Sequence, residues 1–153
     1  MKKLLILSLC FLASSQINAQ DYEKAIGVRL GFDNGVTYKQ FITSISAIEG
    51  LAYFGNNYFS LTALYEINND NAFEVEGLNW YYGAGGHIGF ISKKKEGSNE
   101  EDFILGADGI IGIEYNFENA PFNVSLDWKP QINLIGGGGF IGNTGALSVR
   151  YTF

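Results

Sequence analysis

His87 is the only histidine in this chain of 153 residues, so any chemistry that needs an imidazole must pass through it. An enzyme that trims acyl chains from a lipid needs serine and histidine together where the lipid can reach them. No serine stands at a recognisable spacing from His87, and a lone histidine reads more simply as a structural hydrogen-bonder. The charged candidates are Arg29, Lys129 and Arg150 against Glu49, Glu66, Asp108, Glu114 and Asp127. Gathered in one place they would give either a proton or ion path, a paired-carboxylate site, or a salt-bridged network that neutralises itself; no known catalytic spacing favours the first two. One histidine and scattered carboxylates also lack metal-ligand spacing, so neither a metal nor another cofactor is implied.

Two further stretches invite a chemical reading and do not sustain it. Gly137-Gly138-Gly139-Phe140-Ile141-Gly142 matches the dinucleotide-binding expression, but no helix formers follow it and no lysine–hydroxyl pair makes it a phosphate loop. Lys93-Lys94-Lys95 has the charge to touch lipopolysaccharide phosphates. Glu96, Glu100, Glu101 and Asp102 follow closely, which favours a solvated loop.

The elements that must position these residues are strands. Twenty glycines, 15% aromatic and only 17% charged residues suit a sheet protein with many turns far better than a helical one. The N-terminus reads as a secretory signal peptide, residues 1–19: Lys2-Lys3, an apolar run Leu4–Ala13, then a polar stretch ending in Ala19. Cys10 falls in the apolar run, and Leu9 before it is not the small residue of a lipoprotein site. Residues 20–153 then form one domain without cysteine. Losing Lys2 and Lys3 takes the formal charge from −6 to −8, which repels phosphate backbones and makes nucleic acid an unsuitable partner.

Period-two alternation runs through the whole mature chain and predicts eight strands in meander order: Ala25–Phe32, Val36–Ile42, Ser46–Phe54, Tyr58–Ile67, Leu78–Ile91, Asp102–Tyr115, Phe122–Leu134 and a last one ending at Phe153. Each is near the ~9–11 residues that a tilted strand needs to cross a bilayer. Val36–Ile42 is the weakest, and the long connections leave room for a ten-stranded version. One face carries Phe59, Trp80, Tyr82, Phe90, Phe103, Trp128 and many aliphatics; the other carries Gly, Ser, Thr, Asn and the charges above. The interior of an eight-stranded barrel is just wide enough for side chains. The rings would overfill it, so they are expected outside, in lipid, with the polar face lining a plugged lumen. The opposite arrangement, apolar face inward, would make a soluble secreted ligand binder. Pro130, eight residues into its strand, is expected near the far rim, where water can replace its missing ladder donor.

The ending Leu147, Val149, Tyr151 and Phe153, apolar or aromatic at alternate positions with a terminal Phe, resembles the assembly signal of outer-membrane β-barrel proteins. Trp80-Tyr81-Tyr82-Gly83-Ala84-Gly85-Gly86-His87 and Ser125-Leu126-Asp127-Trp128-Lys129-Pro130 are similar to segments of small Gram-negative barrels of the OmpA/OmpX size class. The resemblance implies an all-β, antiparallel, up-and-down transmembrane barrel in the outer membrane, in contact with lipid and lipopolysaccharide and inserted by the barrel-assembly machinery. Both termini are then expected on the periplasmic side, with loops near 33–35, 55–57, 92–101 and 135–140 outside. A non-enzymatic structural or interaction role is the leading expectation; a lipid-A-modifying enzyme and a narrow channel are the alternatives. The sequence assigns no oligomeric state.

Overall fold

In strand after strand, alternate residues are buried and exposed, and hydrogen-bonded neighbours share that phase. In this computed structural model the described residues are 22–70, 74–95, 98–137 and 139–153. The expected signal peptide lies outside them. The first six strands are β1 (Lys24–Gly31), β2 (Gly35–Phe41), β3 (Ser46–Gly55), β4 (Tyr58–Asn69), β5 (Leu78–Lys95) and β6 (Ser98–Asn116). The next are β7 (Phe122–Trp128), β8 (Gln131–Ile135), β9 (Gly139–Ile141) and β10 (Gly145–Thr152).

Each strand pairs antiparallel with its sequence neighbour from β1 to β6. β6 pairs with both β7 and β8, which are the two halves of one stave interrupted at Lys129-Pro130. β9 and β10 likewise share a stave, pairing with β8 and β7, and β10 returns to β1 with Ile26 opposite Tyr151 and Leu30 opposite Leu147. The ten segments thus make a closed, up-and-down, eight-stranded barrel without helices, not a ten-stranded one. Closure removes every sheet edge.

Three details differ from the sequence reading. Residues 92–101 are not a free loop. The β5–β6 ladder continues through Ser92 opposite Glu101 to Lys95 opposite Ser98. Apolar alternation marks only the part of a hairpin that meets an apolar surface, whereas backbone pairing proceeds without it. Residues 135–140 also contain structure, since β8 runs to Ile135 and β9 begins at Gly139.

Pro130, third, lies inside the wall and not near its rim. Its carbonyl accepts from the Gly109 amide at 2.9 Å, well within β6. Register with β6 holds on either side, Trp128 opposite Ile111 and Gln131 opposite Asp108. The irregularity is taken up on the other side, between β9 and β10, where the Lys129 amide donates to the Thr144 carbonyl and the Thr144 hydroxyl donates to the Lys129 carbonyl. A side-chain hydroxyl and a local slip of register therefore carry the strand past a residue that lacks an N–H.

The outer surface is apolar in bands. Phe54, Phe59, Phe90 and Phe103 are successive cross-strand partners and form one aromatic row. Tyr115 with Phe117, Phe122 with Tyr151, and Tyr151 with Phe153 form ring contacts toward the end that holds the C-terminus. Val28, Leu61, Ile88, Ile111, Leu126 and Leu147 stand exposed between the two. Phe103 to Tyr115 is twelve steps along β6. At ~3.3 Å per step and a tilt of 35–45°, that is roughly 30 Å along the barrel axis.

Candidate functional site

The inward face of the barrel holds the chain's chemistry. Arg29, Glu49, Glu66, His87, Asp108, Glu114, Asp127, Lys129 and Arg150 all lie buried on it. The wall that positions them is built from cross-strand pairs in which a bulky polar side chain faces a glycine. His87 lies opposite Gly106, Asp108 opposite Gly85, and Asp127 opposite Gly112. The space those glycines leave is in use: a Cβ on Gly112 would lie 2.7 Å from both Asp127 Cβ and Tyr81 Cζ, and one on Gly106 2.7 Å from His87 Nε2.

Three clusters follow one another along the lumen. Nearest the termini, Lys39 Nζ donates to Asn68 Oδ1 at 2.9 Å and to Glu114 Oε2 at 3.1 Å, and stands 3.0 Å from Glu66 Oε2. The Tyr22 hydroxyl donates to Glu114 from below at 3.2 Å. Beside it, Arg150 spreads its guanidinium over four acceptors: Glu49 Oε1 at 2.5 Å, Ser125 Oγ at 2.7 Å, Asn123 Oδ1 at 3.1 Å and Thr37 Oγ1 at 3.3 Å. The Thr37 hydroxyl in turn donates to Glu49.

In the middle, Arg29 and Asp127 make a two-pronged pair at 2.5 and 2.6 Å, to which Tyr81 adds its hydroxyl at 3.2 Å. Two parallel N–H···O bonds are the strongest arrangement open to this pair of groups. Leu51, Tyr53, Leu64, Tyr81 and Ile110 pack together alongside, so the lumen also contains an apolar layer.

Toward the other end, Asp108 accepts from Lys129 at 2.6 Å and from His87 Nδ1 at 2.7 Å. Lys129 also donates to Gln131 Oε1 at 3.0 Å, and His87 Nε2 lies 2.9 Å from Asn133 Oδ1. Both imidazole nitrogens are therefore engaged inside the wall, leaving neither for a serine. No set of His, Cys, Asp and Glu among the described residues is arranged to hold a metal ion. Residues 139–141 of the glycine-rich segment are strand, with no helix following.

Four buried cations, Arg29, Lys39, Lys129 and Arg150, face five buried carboxylates, Glu49, Glu66, Asp108, Glu114 and Asp127. One more proton, on His87 or on a carboxyl, would complete the balance. Glu49 Oε2 and both Glu66 oxygens accept no hydrogen bond, the Lys39–Glu66 contact being close but not aligned as one.

Lys39 and Thr37 are the network members that the sequence reading did not place on the polar face, whereas Tyr81, Asn123, Ser125, Gln131 and Asn133 lie on that face as their alternation predicts. The signal for Lys39 was present: Val36 and Tyr38 face outward, so parity alone places Thr37 and Lys39 inside.

No protein-family model matches the chain, and no curated protein matches it in sequence. Solved structures do match in shape. The N-terminal β-barrel domain of Pseudomonas aeruginosa OprF superposes with a TM-score of 0.62 at 17% identity, covering 89% of this chain and 100% of that one. Neisserial surface protein A, NspA, superposes with a TM-score of 0.54 at 17% identity, covering 85% and 94%. Both are eight-stranded barrels of the outer membrane, and this chain is similar to them in fold.

Proposed function

We propose that the chain is a small, non-enzymatic outer-membrane barrel whose lumen is plugged by its own side chains and whose role is structural or interactive. The observation that carries this reading is the inversion of the two faces. Arg29, Lys39, Glu49 and Arg150 are sealed inside, while Leu126, Leu134 and Phe140 are more than half exposed outside. A water-soluble protein rarely exposes a continuous apolar band of this extent. An aliphatic band between aromatic rows matches a bilayer core between its interfaces.

In this reading lipid and lipopolysaccharide contact the band, and the barrel-assembly machinery reads the outward-facing Leu147, Val149, Tyr151 and Phe153 during insertion. The described ends of the chain, Tyr22 and Phe153, and the connections at 42–45, 74–77 and 117–121 face the periplasm, and the opposite end faces outward. The placement of His87, enclosed and doubly hydrogen-bonded, supports a structural role for it over lipid chemistry.

The test has two parts. The protein in outer-membrane fractions should migrate differently on a cold detergent gel before and after boiling. The purified barrel should give no single-channel conductance in a planar bilayer. A protein recovered from the periplasm with no boiling shift would refute the location, and steady ion current would refute the plugged lumen.

A further inference from the structure

The polar network does not fill the barrel to its outer end. Above Lys129 and Asp108 the lumen opens into a cup of about 450 Å³, within the usual range for small-molecule sites. Tyr58, Ile91 and Ile104 line its wall together with Asp33 and Asn34 of the β1–β2 turn, and Gln131 and Asn133 form its polar floor.

The floor has a defined hydrogen-bonding sense. The Lys129 ammonium can only donate, so its 3.0 Å bond to Gln131 Oε1 fixes the orientation of that carboxamide. The Gln131 Nε2 group then has no hydrogen-bond partner among the described residues, although the side chain is 93% buried, being 7% exposed. Asn133 Nδ2 has only a long contact, 3.5 Å, to the Gly137 carbonyl. The Gln131 nitrogen is not fully sealed in the wall, and the cup is the open space on that side, so an apolar occupant would strip its water without replacing the bond.

We propose that this cup is a binding site for an uncharged sugar ring. Charge argues against an ionic ligand, because Lys129 at the floor is already neutralised by Asp108 at 2.6 Å. A purely aliphatic chain would leave the Gln131 and Asn133 amides unsatisfied. A neutral sugar answers both halves of the cup. Its C–H face packs on the Tyr58 ring, and its hydroxyls accept from Gln131 Nε2 and donate to Asp33. The site stands on the cup alone, so its test is read separately from the membrane location and the conductance.

The purified barrel, held in an amine-oxide detergent that carries no sugar headgroup, is titrated with methyl glucoside and methyl galactoside. Saturation-transfer NMR reports contact with the sugar C–H protons, and 1-octanol serves as the apolar control. Saturable binding of a glycoside, weakened at least about tenfold in Gln131→Glu, is the expected result. That variant keeps an acceptor for Lys129 but exchanges the donor for a negative charge, so Gln131→Met, which removes the donor without adding charge, should weaken binding likewise. Tyr58→Ala, which leaves the floor intact, should weaken binding as well, and the boiling shift on gels verifies that the variants fold. No saturable binding of either glycoside, binding untouched by these substitutions, or octanol competing on equal terms would each overturn the proposal.

Discussion

Replacing Arg150 with methionine is the sharpest probe of whether the lumen is a packed interior or a wet passage. The guanidinium is fully buried and holds Glu49, Thr37, Asn123 and Ser125. Methionine fills similar space and removes the charge, leaving the Glu49 carboxylate in the wall with Thr37 as its remaining bonded partner. Removing one member of a buried ion pair typically costs about 3–5 kcal/mol. At ~1.4 kcal/mol per factor of ten, the folded-to-unfolded ratio should fall by a factor of roughly 10² to 10³·⁵.

Adding Glu49→Gln to the same chain removes the stranded charge, so the double variant should recover about 1–2 kcal/mol relative to Arg150→Met alone. Urea titration of the barrel in phospholipid vesicles measures each value. Trp80 and Trp128, half-exposed on the outer face, report the passage from lipid to water by their fluorescence. An Arg150→Met variant within about 1 kcal/mol of the parent would refute the reasoning, because it would mean that water already solvates Glu49 and that the lumen is open.

Other perturbations test neighbouring parts of the argument. Gly112→Ala places a methyl 2.7 Å from Tyr81 Cζ and Asp127 Cβ, and should destabilise the barrel by about 1–3 kcal/mol in the same titration; no change would mean slack in the lumen. Glu66→Gln removes the surplus carboxylate and offers an N–H to the neighbouring Glu49 carboxylate, so its stability should stay within about 1 kcal/mol of the parent or rise. A loss of 3 kcal/mol would show instead that Lys39 depends on the Glu66 charge. Deleting Phe153 should reduce the heat-shifted band in outer-membrane fractions while leaving the chain able to fold into vesicles in vitro. Equal amounts of that band in cells would remove the assembly role assigned to the final strand.

The barrel was legible in the sequence because one physical rule, a period of two with unlike faces, repeats from strand to strand. Trp80, Tyr82, Ile88 and Phe90 announce their face against Asn79, Tyr81 and His87 with little room for another reading. Legibility fails where that rule has nothing to act on. The charged residues around Lys95 and Ser98 continue the β5–β6 ladder in backbone alone, and backbone pairing leaves no mark on side-chain type. Pro130 misled for a related reason. Its cost depends on whether a neighbour can slip, and the register change between β9 and β10, with Thr144 as a substitute donor, is a property of another stave.

The partners within the lumen lie beyond any single-strand reading, because they are fixed by register around a closed circle. Parity places Arg150 and Glu49 on the inner face, but they belong to β10 and β3, separated by two intervening strands, and only the narrow bore brings them to 2.5 Å. The same holds for Arg29 on β1 with Asp127 on β7, and for Lys39 on β2 with Glu114 on β6. Three of the four buried cations therefore reach past at least one intervening strand to a carboxylate, while Lys129 bonds Asp108 on the adjacent strand β6. Glycines opposite His87, Asp108 and Asp127 set how far these side chains can lean inward. A wall with alanine at those sites would keep the period of two and still be unable to close on its own contents. The alternation thus encodes a closed barrel with an apolar outer face, and the placement of glycines against charges encodes that this barrel is filled.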